Sequence, residues 1–172
     1  YMNKLLTIFL ILIFFLRQIV ILNANNDTYI NTTNIIYDED KNIVELAENS
    51  KININNTNIL VDRGIIDYEN DLIEVYGNFY LYQELNIFSG KNLVGNSTLS
   101  KFNAIEVNYI YNNDLKIDSD KTIRNEGIVY FYNNFLTPCE LEGYFNCPTW
   151  SLRIDETKYE IDKDKFSHYD TF

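Results

Sequence analysis

Both cysteines of the chain, Cys139 and Cys147, both prolines, Pro138 and Pro148, and its only tryptophan, Trp150, fall within residues 138–150, "PCELEGYFNCPTW". Two thiols can form a disulfide or ligate a metal. Zinc needs about four ligands, and the one histidine, His168, lies far along the chain from an otherwise ligand-poor pair. No metal site is expected, and no other cofactor. His168 has no Ser or Cys partner at nearby spacing and sits in the alternating "KFSHYDTF", where it reads as an exposed strand histidine. Carboxylates are plentiful but fall in turn-like runs such as "DEDKN" and "DSDK", where solvation is their ordinary role. There is no Gly-rich phosphate loop, and the sequons "NDT", "NTT", "NNT" and "NST" are what an Asn-rich chain produces by chance. The residues therefore point to a binding protein and not to an enzyme.

The 172 residues suffice for one domain with a modest core. A net charge of −11, from 25 acidic against 14 basic residues, argues against nucleic acid as a partner. At the start, Lys4 precedes the apolar run "LLTIFLILIFFL", then Arg17, Gln18, "IVIL" and "NANND". That order reads as a secretory signal peptide over 1–24, cleaved after Ala24. An uncleaved anchor is the other reading, made costly by Arg17 and Gln18 in mid-span. Tyr1 ahead of Met2 reads as an imperfect start or a fragment. Export puts both thiols where a disulfide is the expected state.

Past residue 28 the pattern is strand after strand. "KININ" (51–55) alternates strictly, and "NAIEVNYIY" (103–111) places Ile105, Val107, Tyr109 and Tyr111 on one face, Glu106 and Asn108 on the other. Apolar residues recur two apart rather than three and four apart, so no helix is expected after residue 24. "YDEDKNIVELAENSKI" (37–52) and "IDYENDLIEVYGNFYL" (66–81) superpose without a gap, and "NAIEVNYIYNNDLKIDSDKTI" is a weaker third copy. Each unit is an acidic turn, a strand, a small-residue corner and a second strand. Stacked units of this kind make a rolled sheet with open edges.

The unit "IIDYENDLIEVYGNFYLY" resembles the OstA-like domain of lipopolysaccharide-transport proteins at Asp67, Tyr68, Gly77 and Asn78. The copy at 37–49 departs from it, with Ala47 and Glu48 in place of Tyr76 and Gly77. "RNEGIVYFYNNFLTPCELEGYFNCPTWSLRI" is similar to the segment joining that domain to the barrel in the outer-membrane LptD family, through Arg124, Gly127, Thr137, Pro138, Cys139, Pro148, Trp150 and Arg153. The resemblance implies an all-β fold: a V-shaped OstA-like β-jelly-roll over 25–135, preceded by the signal-peptide helix. Residues 136–172 would be a Cys/Pro/Trp junction with the first strands toward a barrel that this chain lacks, and the chain reads as an N-terminal fragment.

In that family the jelly-roll passes the acyl chains of lipopolysaccharide along an apolar groove toward the outer membrane, on its periplasmic side. The one-sided strands here offer a lining: Ile52, Ile54, Ile73, Val75, Phe79, Leu81, Ile105, Val107 and Tyr109. Pro138, Pro148, Trp150 and Arg153 would hold the junction at one angle. Cys139 and Cys147 could bridge each other, or bond elsewhere as family cysteines do. Implied partners are lipopolysaccharide, a periplasmic bridge protein added as an edge strand near Tyr29 to Tyr37, and an outer-membrane plug lipoprotein reached through the barrel. Two other readings stand beside this one: a periplasmic lipopolysaccharide shuttle of the same pathway, and a secreted β-sandwich that binds without a lipid groove.

Overall fold

The computed structural model describes residues 29–31, 35–39, 42–54, 57–83, 85–112, 114–138 and 151–171. Among them the chain forms β1 (Tyr29–Asn31), β2 (Ile35–Asp38), β3 (Ile43–Leu46), β4 (Ser50–Ile54), β5 (Thr57–Asp67), β6 (Leu72–Gln83), β7 (Asn86–Gly95), β8 (Lys101–Tyr111), β9 (Leu115–Asn125), β10 (Ile128–Thr137), β11 (Leu152–Glu160) and β12 (Lys165–Thr171). All pair antiparallel in one sheet, in the order β1-β4-β5-β6-β7-β8-β9-β10-β11-β12. The long β5 is flanked by two short strands in succession, β4 along Thr57–Val61 and β3 along Gly64–Asp67, and β3 carries β2 on its other side. The sheet does not close: β1 and β2 end it on one side and β12 on the other.

A regular strand buries every second residue. In five strands that rhythm breaks once, and the buried positions step by three: Val61 to Gly64, Ala104 to Val107, Ser119 to Thr122, Phe131 to Asn134 and Ile154 to Thr157. The breaks lie side by side across the sheet, since Ala104 pairs Thr122 and Val107 pairs Ser119, Phe131 pairs Thr122 and Asn134 pairs Ser119, and β10 meets β11 in the same way. The residues in this row are Asn49, Asp62, Gly77, Asn92, Glu106, Asp120, Asn133, Asp155 and Asp170. Six of them have left-handed backbone: Asn49 (φ 60°), Gly77 (90°), Asn92 (47°), Glu106 (49°), Asn133 (49°) and Asp170 (52°). Gly and Asn tolerate that region better than other residues, which is why they recur here.

The row is a fold line. On a flat sheet Tyr109 lies opposite Ile117, and Ile117 opposite Leu136, five residues and ~17 Å along β10 from Phe131. The rings of Tyr109 and Phe131 are 5.2 Å apart. Each long strand therefore turns a corner, and its two halves face each other across a shared interior. Phe88 joins the halves too, stacked on Tyr109 at 4.2 Å and edge-on to Phe102 at 5.9 Å.

Kinking a ladder strands polar backbone groups. Side chains take them up on both sides of the fold line. Outside, Asn92 Oδ1 accepts the Gly77 amide at 3.0 Å and Asp62 Oδ2 accepts the Asn78 amide at 2.8 Å. Inside, the buried polar residues are Ser50, Ser119, Thr122, Asn134 and Thr157, each at or beside the corner. Ser50 Oγ donates to the Ala47 carbonyl at 2.6 Å, Asn134 Nδ2 to the Phe131 carbonyl at 3.0 Å, and Thr157 Oγ1 to Asn134 Oδ1 at 2.9 Å. Among the described residues no buried side-chain polar atom lacks a partner.

Two expectations are corrected. The fold was expected to be an all-β sheet preceded by a helix. The antiparallel sheet is present, but the described residues contain no α-helix, only a 3₁₀ turn at Ile161–Lys163, so no helix belongs to the fold they form. The segment 1–24, expected to be the signal helix, lies outside them. Ile105 was expected to share an inner face with Val107 and Tyr109. It points outward and is 42% exposed, because the left-handed Glu106 between Ile105 and Val107 reverses the side-chain sense.

Candidate functional site

Eight of the nine proposed lining residues converge. Ile52 and Ile54 on β4, Ile73, Val75, Phe79 and Leu81 on β6, and Val107 and Tyr109 on β8 are each 3% exposed or less and belong to one cluster. Ile105 is the exception. The interior also takes Phe88, Phe102, Phe131 and Ile154, which the lining omitted. Their signal was the same alternation, read through a corner that shifts its phase.

The edge away from the fold line is where the two half-sheets would part, and polar contacts bridge it. Arg124 is register-paired with Phe102 on β8 and Val129 on β10, both buried, and so faces inward at the rim. Its Nη1 donates to Gln83 Oε1, at the end of β6 in the other half, at 3.2 Å, and its Nε donates to the Glu126 carbonyl at 3.2 Å. Burial pulls the guanidinium pKa down, with the nearby Tyr109 opposing. It stays charged all the same. Further along the rim, Tyr111 donates its hydroxyl to Asp164 Oδ1, and Tyr159 donates to the same oxygen at 3.2 Å. Burial first, then the Asp164 charge, pushes the Tyr159 phenol up to about 12. Phe166 covers this pair, stacked on Tyr159 at 4.3 Å and edge-on to Tyr111 at 5.3 Å. Neither clasp was anticipated from sequence.

Outside the fold line lies an open depression of ≈ 370 Å³, lined by Glu106, Asp118, Asp120, Asn133 and Arg153 together with the apolar Val107 and Phe135. Among the described residues no group of three or more His, Cys, Asp or Glu is placed to hold a metal. Of the junction residues, Pro138 directly follows β10 and is half-buried, and Arg153 is exposed with its guanidinium 5.9 Å from the Phe135 ring centre. Cys139, Cys147, Pro148 and Trp150 lie outside the described residues.

No protein-family model matches the chain, and no curated protein does. Among solved structures it is similar to the crystal structure of LptH, the LptA homologous periplasmic component of the conserved lipopolysaccharide transport device from Pseudomonas aeruginosa. The two are 7% identical with a TM-score of 0.36, over 83% of this chain and 81% of that one. Chemically, the site offers an apolar interior between two half-sheets, with a cation and a phenol–carboxylate cluster at its rim.

Proposed function

We propose that this chain is a periplasmic component of lipopolysaccharide transport, of the shuttle type, which holds acyl chains between its two half-sheets. One observation carries the reading. The sheet folds over a continuous apolar interior without closing, so its half-sheets can part and its end strands stay free to pair. The sequence resemblance at Asp67, Tyr68, Gly77 and Asn78 supports it, and these residues form the β5–β6 turn and the fold line. The acidic balance of the chain leaves apolar burial, at about 25 cal/mol per Å², as the main source of affinity for fatty tails. The shuttle reading is supported by β11 and β12, which extend the same rolled sheet beyond residue 151.

Photo-crosslinking in cells tests it. A crosslinker at Ile73 or Val107, both facing inward, should capture lipopolysaccharide, and one at the outward Ile105 should not. Capture confined to Ile105 would overturn the reading. A second reading, a binding sandwich with no lipid groove, is favoured by the completeness with which the protein's own side chains fill the interior: Ile52, Phe79, Leu81 and Phe131 are all 0% exposed. Silence at both inward positions would select it.

A further inference from the structure

We propose that Arg124 anchors the anionic headgroup, a phosphate or carboxylate, of an amphiphile whose tail enters the interior beside Phe102, Tyr109 and Val129. The inference rests on the lipid-carrying reading and adds the residue that orients the cargo.

The chain carries a net charge of −11, yet no carboxylate pairs with this inward-facing guanidinium among the described residues. The nearest acid in sequence, Glu126, gives Arg124 only its backbone carbonyl, while its carboxylate turns to Lys101 at 3.3 Å. An arginine has five N–H donors in a planar fork. Two are used here, both on neutral acceptors, the Glu126 carbonyl and the Gln83 amide oxygen.

A phosphate or carboxylate makes shorter and roughly twice as strong hydrogen bonds to guanidinium as a neutral oxygen does, and can engage two N–H groups at once. An arriving headgroup therefore displaces Gln83. Because Gln83 belongs to the opposite half-sheet, the exchange also releases one of the rim clasps. Headgroup capture and parting of the halves become the same event, with the tail entering next to the side chains that flank Arg124 in register, Phe102 and Val129.

Calorimetric titration of the purified full chain tests this with three probes: dodecyl phosphate, dodecyl glucoside and inorganic phosphate, the amphiphiles kept below micelle-forming concentration. Dodecyl phosphate is expected to bind about tenfold more tightly than the glucoside. Arg124→Gln should remove that preference while the glucoside still binds, at least as tightly because the clasp to Gln83 is gone, and that binding also shows the variant is folded. Gln83→Glu, which supplies Arg124 with its own carboxylate, should also abolish the preference for the phosphate. A preference that survives Arg124→Gln overturns the proposal, as does inorganic phosphate binding as tightly as the dodecyl ester. Equal binding of the two amphiphiles by the unmodified chain overturns the role of Arg124 and leaves the lipid-carrying reading standing. Binding of neither overturns both.

Discussion

Asp62 holds Asn78 by two hydrogen bonds to one oxygen: Oδ2 accepts the Asn78 backbone amide at 2.8 Å and its side-chain amide at 2.9 Å. The two residues sit on adjacent strands, β5 and β6, on the outside of the fold line. Between them in space lies Gly77 at φ 90°, where a Cβ would come within 2.8 Å of the same Asp62 oxygen. The carboxylate thus occupies the place a side chain would need, and the corner depends on both.

Gly77→Ala should destabilise the protein by about 1–3 kcal/mol, from left-handed strain and the displaced carboxylate. Asp62→Ala should cost about 1–2 kcal/mol by leaving the Asn78 amides to water. Because the two share one contact, the double variant should lose less than the sum. Urea denaturation of the four proteins measures this, and strict additivity would show the corner is not one unit.

Inner and outer positions should separate sharply by mutation. Phe79→Ala removes a fully buried ring and should cost about 3–5 kcal/mol. Ile105→Ala, on the outer face, should stay within about 0.5 kcal/mol of the parent. A large loss at Ile105 would mean that it is buried in the folded protein after all.

Alkali should loosen the rim. The folded pKa of Tyr159 is raised from 10.0 to about 12, so its contribution to stability is complete below pH 10 and is lost as pH climbs from 10 to 12. Tyr109, more deeply buried, is raised in the same direction. Tyrosinate absorbance and near-ultraviolet dichroism should change together in that window. Tyr159→Phe should move the dichroism change to higher pH.

Acid should act at the neighbouring strand end. Glu160 is lowered to about 2 by Lys163 first and Lys158 second. A depressed carboxylate stabilises fully above its unfolded pKa, near 4.5, and loses that contribution as pH falls toward 2. Glu160→Gln should flatten the stability profile between pH 4.5 and 2, and an unchanged slope would remove the ion-pair cluster from the account.

Among the described residues β1, β2 and β12 are the edge strands, open to strand addition. Proline at Ile35 removes a backbone donor from β2, whose Ile36 and Tyr37 are exposed and add little to the core. Under the proposed transport role, co-purification with a partner component should fail while the thermal midpoint of the isolated chain stays within a few degrees. Retained co-purification would place the contact elsewhere.

By itself the sequence determined the elements, because the signals for a strand are local. Two-residue alternation in "KININ" and acidic turns such as "YEND" are written in neighbouring residues. The Gly77–Asn78 corner was likewise legible, since left-handed backbone favours glycine, whereas its structural counterpart at Asn49 was not, because the gap-free superposition puts Glu48 in the place of Gly77. Only the tertiary structure decided which way each strand faces beyond its corner. Side chains alternate with a period of two, so a single left-handed residue such as Glu106 turns Ile105 from lining to surface, and glutamate carries no local mark of that conformation. The Arg124–Gln83 clasp was equally hidden. Its partners lie 41 residues apart in the chain and meet because the sheet folds over, and no spacing along the sequence encodes that meeting.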